Sequence, residues 1–151
     1  MSKNNFLKIL VMGLPGSGKS TLAADLQYLL NQNYKSHWLN ADKVREQFND
    51  WDFSEDGRKR QTKRMKDLAE LNGQYNDIII CDFVCPYETM RVEFNADYTV
   101  FVNTINESRY EDTNKIFEPP TKYDYEVKHK NSIYHSKMIT DEIVRKLNKK
   151  V

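Results

Sequence analysis

The sequence predicts an α/β protein, a parallel five-stranded sheet with helices on both faces. Three observations carry this prediction. The glycine-rich stretch Gly13-Leu14-Pro15-Gly16-Ser17-Gly18-Lys19-Ser20-Thr21 stands between an apolar run and a segment of helical periodicity. Further short apolar runs recur along the chain, each ending in a polar residue. Between them lie segments with helical spacing or helix-start signals, the alternation that crossover-connected parallel strands require.

Leu7 to Met12 is apolar and partly β-branched, as a buried parallel strand should be. Thr21 to Leu30 has apolar residues at helical spacing. After the polar break Asn31 to Ser36, His37-Trp38-Leu39-Asn40 reads as a short second strand. Ala41 to Phe48 is helical in character, with Asp42 at a position that also suits a cap. Asn49 to Ser54 is a loop with two exposed-looking aromatics, Trp51 and Phe53. Ser54-Glu55-Asp56-Gly57 can cap a helix running to about Leu71. Its run of Arg58, Lys59, Arg60, Lys63, Arg64 and Lys66 reads as a solvated face.

Asn72-Gly73-Gln74 should break that helix, and Ile78-Ile79-Ile80-Cys81 forms a buried strand ending in Asp82. Pro86 suits the first turn of a short helix, Tyr87 to Phe94. Tyr98 to Asn103 reads as a fourth strand and Tyr123 to Val127 as an edge-like fifth. The segment 104–121 reads as irregular and polar, a lid by its length. Lys128 to Lys137 carries no clear pattern, and Met138 to Lys149 reads as a final amphipathic helix.

At 151 residues the chain suffices for one domain, 1–151, with a real core. Its 23 basic and 22 acidic side chains leave a net charge of +1. Such a balance argues against a nucleic-acid partner or a membrane surface. The N-terminal Met1-Ser2-Lys3-Asn4-Asn5 lacks the apolar core of a signal peptide, and no run approaches transmembrane length. A cytoplasmic protein is expected, with Cys81 and Cys85 as reduced thiols. Homodimer formation is left open.

The glycine stretch fills every position of G-x-x-x-x-G-K-[ST]. With a strand before it and a helix after it, the expected fold is that of the P-loop NTPases. Backbone N–H groups of Gly13, Gly16, Ser17, Gly18 and Thr21 and the positive helix end would cradle phosphates, with Pro15, which has no N–H, shaping the same loop against the nucleotide. Lys19 would reach the β- and γ-phosphates of ATP, and the Ser20 hydroxyl would ligate Mg²⁺. Asp82 ends its strand as a second candidate on the metal side, or as a turn residue. The guanine-reading pattern N-K-x-D is absent, because Asn114-Lys115 continues as Ile116-Phe117. A small kinase is therefore the leading class. Ligands of such sheets bind at the carboxyl ends of strands, where the glycine loop, Asn40, Asp42 and Asp82 fall. Asp42 is the candidate that orients an acceptor hydroxyl or takes its proton. Arg45, one helical turn on, and Arg58 suit an anionic acceptor.

These residues resemble the adenylylsulfate kinases (APS kinases), from the first strand to about Val127. Leu39-Asn40-Ala41-Asp42-Lys43-Val44-Arg45 is similar to the family's L-D-G-D-N-V-R. Phe53-Ser54-Glu55-Asp56-Gly57-Arg58 is similar to its G-F-S-x-x-D-R, and Phe83-Val84-Cys85-Pro86-Tyr87 to its F-I-S-P-Y. The resemblance implies transfer of the ATP γ-phosphate to the 3′-hydroxyl of adenosine 5′-phosphosulfate, a small nucleotide. It implies that Asp42, Arg45, Phe53, Arg58, Gln61, Phe83, Val84 and Cys85 hold that substrate, with Phe53 stacked on its adenine. The chain departs from the family pattern at Asn40 for an aspartate, Gln61 for an asparagine, Cys85 for a serine and Asp82 for a small apolar residue. Its lid is short. Polynucleotide 5′-hydroxyl kinases carry a similar loop and a D-x-x-R that Asp42 and Arg45 satisfy, so that reading stands as an alternative. Another nucleoside or nucleotide kinase, or a protein that holds ATP without transfer, is the further alternative.

Overall fold

The computed structural model describes residues 5–149. The reading of Met1 to Asn4 lies outside them. Five strands form one parallel sheet: β1 (Leu7–Met12), β2 (Ser36–Asn40), β3 (Ile78–Asp82), β4 (Tyr98–Val102) and β5 (Tyr125–Val127). Their order is β2-β3-β1-β4-β5, every neighbouring pair parallel. Among the described residues five helices lie in the connections, α1 (Lys19–Leu30), α2 (Ala41–Phe48), α3 (Glu55–Gly73), α4 (Glu88–Phe94) and α5 (Glu111–Ile116), and α6 (Ser132–Asn148) follows β5.

The pleat sorts the side chains. Ile9 and Val11 of β1 pack with Leu22 and Leu26 of α1 and Ile139 and Ile143 of α6. Leu10 and Met12, one residue out of phase, pack with Val44, Met65, Ala69, Met90 and Phe94 from α2, α3 and α4. Both faces of β1 are buried, which is why it reads as an apolar run broken only by Lys8, itself buried with its ammonium over the Phe94 ring. Order reverses at β1, with β3 on one side and β4 on the other, so the loop leaving β1 opens into a crevice at the strand ends.

Several boundaries differ from expectation. The helix read from Met138 begins at Ser132, capped by Asn131 Oδ1, which accepts from Tyr134 N at 3.2 Å. The segment 104–121 is not irregular throughout, because Glu111–Ile116 is helical. Gly73 closes α3 rather than breaking it. Pro86 precedes the α4 cap residue Tyr87, so it stands outside the first turn. The basic run of α3 is not a uniformly solvated face either. Arg58 is only 6% exposed, because the face it shares with Gln61, Thr62 and Met65 turns inward.

Candidate active site

The phosphate loop begins at Gly13, the residue after β1. Gly13 has φ +150°, and a Cβ there would lie 2.4 Å from the Val102 carbonyl oxygen, so β4 approaches too closely for any side chain. Gly18, at φ +106°, caps α1 in a conformation that L side chains rarely adopt. Two residues distant in the chain grip the loop. Thr104 Oγ1 donates to Ser17 O at 2.6 Å, and Lys130 Nζ donates to Gly16 O at 2.9 Å. With those carbonyls held away, the loop amides are left to face an anion. Ser17 Oγ is buried and makes no hydrogen bond within the protein. An orphan of that kind costs about 1–3 kcal/mol.

Lys19 Nζ donates to Leu14 O at 3.0 Å. Burial lowers its pKa to about 8, against the pull of Asp82 and Asp42 toward the charged form. A phosphate would supply the missing counter-charge. Ser20, Asn40 and Asp82 form one cluster. Asn40 Nδ2 donates to Ser20 Oγ at 3.0 Å and to Asp82 Oδ2 at 3.0 Å, and Trp38 Nε1 donates to the same Asp82 oxygen at 2.7 Å. Burial raises the Asp82 pKa, while the Trp38 and Asn40 bonds oppose the rise.

Asn40 also caps α2, its Oδ1 accepting from Lys43 N at 3.1 Å. The capping role open to Asp42 therefore belongs to Asn40, and Asp42 stands exposed in the cleft wall. Arg45 and Arg58 converge on the Phe53 ring, with guanidinium carbons 4.3 Å and 5.4 Å from its centroid. Both also hold the loop that carries it. Arg45 Nη1 donates to the carbonyls of Asp50 at 3.0 Å and Asp52 at 3.3 Å, and Arg58 Nε donates to Phe53 O at 2.8 Å. Arg60 and Arg64 pin the same loop from outside through Asp50. Gln61 Nε2 donates to Ala41 O at 3.0 Å, so it sets α2 against α3.

The cleft of about 1140 Å³ is lined by Pro15, Gly16, Gly18, Lys19, Ser20 and Thr21 on one side. On the other it meets Asp42, Arg45, Phe53, Arg58, Gln61, Asp82, Phe83, Val84 and Cys85. Gly13 and Ser17 lie behind this lining. Cys85 holds a left-handed φ of +49°, uncommon outside glycine, at the cleft edge. Arg91 Nε donates to its carbonyl at 3.0 Å, and Arg91 Nη2 reaches the carbonyls of Pro86 and Glu118. Sequence reasoning missed Thr104, Arg91, Lys130 and, within segment 104–121, Arg109 and Tyr110, which also line the cleft or brace it. A helix start signal at Asn131 was present for Lys130, but no local pattern marks the others.

Loop, sheet order and cleft together define a protein of the P-loop NTPase fold. The family model for adenylylsulphate kinase matches residues 6–118. The chain belongs to that family. An adenylyl-sulfate kinase of Bacillus pumilus is 37% identical over 110 residues, covering 66% of this chain and 56% of that protein. One of Penicillium chrysogenum is 38% identical over 88 residues, covering 56% and 42%. The chain thus spans about half the length of these relatives. The Mycobacterium tuberculosis APS kinase in complex with AMPPNP and APS shares the fold at TM-score 0.78 and 16% identity, over 92% of this chain and 98% of that one. Shikimate kinase of Acinetobacter baumannii in complex with shikimate shares it at TM-score 0.62 and 14% identity, over 95% and 96%.

Proposed function

We propose that this chain is an ATP-dependent phosphotransferase that phosphorylates the 3′-hydroxyl of adenosine 5′-phosphosulfate. One observation carries the reading most: a single cleft joins the phosphate loop to Asp42, Arg45, Phe53 and Arg58. Lys19 sets its charge against the β- and γ-phosphates once they replace Leu14 O as its partner. Asp42 accepts the proton of the acceptor hydroxyl while that oxygen bonds to the γ-phosphorus and the bond to the bridging oxygen breaks. Arg45 and Arg58 neutralise the acceptor's anionic end, and the exposed part of the Phe53 ring stacks on its base.

The oxygen donors Ser20 and Asp82 fit Mg²⁺, a hard ion that prefers oxygen and keeps much of its water. Among the described residues no group of three or more His, Cys, Asp or Glu could hold a metal alone, which accords with an ion carried largely by phosphates. Ser20 would ligate it directly and Asp82 would hold its water shell. Once bound, the ion would neutralise charge on the transferring phosphoryl. The segment 104–121 serves as a lid in this reading. A cytoplasmic setting, where ATP is abundant and thiols stay reduced, goes with it, and Cys81 and Cys85 are both free thiols. No described helix is long and apolar enough to cross a membrane.

The test is product formation. The protein is incubated with labelled MgATP and either adenylylsulfate or a 5′-hydroxyl oligonucleotide, each at two salt concentrations. Label transfer to adenylylsulfate, abolished by Lys19→Ala, is expected. Transfer to the oligonucleotide alone, with steep salt dependence, would give the protein to the polynucleotide kinases. Nucleotide binding with no transfer to any acceptor would make it a binding protein.

A further inference from the structure

We infer that Asn40 is a positioning residue, whose side-chain amide holds the Ser20 hydroxyl, the Asp82 carboxylate and the start of α2 in one fixed arrangement. The inference rests on the kinase reading for its functional part. Its geometric part stands alone.

Each atom of the amide is assigned by its partner. The Lys43 backbone N–H can only donate, so the oxygen it meets must be Oδ1. The other amide atom is therefore the nitrogen, and it faces Ser20 Oγ and Asp82 Oδ2, both at 3.0 Å. A carboxylate has no N–H to donate and could not make the bond to Asp82. Asp82 is backed by Trp38, whose indole N–H donates to the same oxygen at 2.7 Å. The order Trp38, Asp82, Asn40, Ser20 is thus a chain in which donors and acceptors match at every link. It joins β2, β3 and the first turn of α1, three elements that share no covalent neighbour.

The cap bond adds the fourth element. α2 begins one residue after Asn40 and carries Asp42 two residues after it. The residue that sets Ser20 and Asp82 on the phosphate side therefore also sets where Asp42 stands on the acceptor side. Registry between the two halves of the cleft passes through one amide.

The test uses two variants of the full chain, Asn40→Asp and Asp82→Asn. Aspartate caps helices as well as asparagine does, so Asn40→Asp keeps α2 and the fold. It puts two carboxylates against each other and removes the donor. Asp82→Asn leaves an amide oxygen that can still accept from both Trp38 and Asn40. The chain has two tryptophans, so a ¹⁵N-labelled sample shows two indole N–H resonances, assigned with Trp51→Phe.

In Asn40→Asp the Trp38 indole resonance is expected to move, and turnover to fall roughly 10–100-fold, with affinity for metal-free ATP little changed. In Asp82→Asn the indole resonance should stay nearer its native position than in Asn40→Asp. The inference is overturned if the Trp38 resonance of Asn40→Asp coincides with that of the native protein. An Asn40→Asp variant with undiminished turnover overturns it equally. If the native protein transfers phosphate to no acceptor, the kinase reading fails, and the indole resonances alone then decide whether the cluster exists.

Discussion

Arg58 Nη2 donates to Thr113 Oγ1 at 3.2 Å, in a buried contact that joins the first turn of α3 to α5. The arginine expected to meet an anionic acceptor thus also ties down segment 104–121, the proposed lid. Thr113→Val removes the acceptor oxygen and keeps the shape. A bond of this kind contributes about 1 kcal/mol, so the acceptor KM should rise roughly fivefold while ATP affinity holds. Steady-state kinetics with each substrate varied checks this. An equal loss for both substrates would show that the bond supports the fold rather than the lid.

Asp42→Asn should lower kcat by roughly 10²–10⁴-fold, the usual contribution of a general base. The melting temperature should not change, because Asn40 and not Asp42 caps α2. Single-turnover rates and thermal melts read the two effects separately. A drop in melting temperature with kcat intact would return Asp42 to a structural role.

Gly57 lies in the first turn of α3, and a Cβ there would stand 2.1 Å from Asp52 O and 2.5 Å from Asp52 Cγ. Helix propensity alone favours Gly57→Ala by ~1 kcal/mol. The clash with backbone should outweigh it, for a net loss of about 1–3 kcal/mol. The displaced loop carries Phe53, so acceptor binding should weaken with it. Denaturant titration of the variant would reveal a gain instead if the loop gave way freely.

Burial, with His129 nearby, holds His135 below the ordinary histidine pKa. Below about pH 6.5 the unfolded chain therefore takes up a proton that the folded protein resists. The stabilising neutral form, bonded to Tyr125 Oη at 2.8 Å, contributes fully above that pH and is lost as the pH falls. Urea midpoints should decline between pH 7 and pH 5, and His135→Gln should flatten part of that decline. An unchanged slope in the variant would assign the effect to other groups.

What the sequence made legible was local. β1, the glycine loop and β3 are continuous signals: an apolar run, a fixed spacing, and Ile78-Ile79-Ile80 closed by Asp82. The start of α6 was hidden because Ile133 is 80% exposed, with Tyr134 and Met138 also outward, so apolar residues stand off the stripe formed by Ile139 and Ile143. α5 escaped notice for the opposite reason, since its six residues bury only Thr113 and show no stripe at all. At the site, residue types were readable but not partners. Nothing near position 40 announces Asp82, which reaches it only because β2 and β3 pair with Asn40 beside Asp82. Arg58 was legible as an anion-binding candidate, but its partner Thr113, 55 residues further along in α5, was not.

The grip of Thr104 and Lys130 on the phosphate loop bears on how the protein is made. The loop leaves the ribosome early, yet its Ser17 and Gly16 carbonyls are held by groups 87 and 114 residues further along. β1 is also flanked by strands that arrive much later, at Ile78 and Tyr98. A growing chain therefore carries its nucleotide motif long before it has a nucleotide site. Stalled chains of increasing length should gain protection by ATP against proteolysis only after Lys130 has emerged, and protection of chains ending before β4 would show that the loop sets itself.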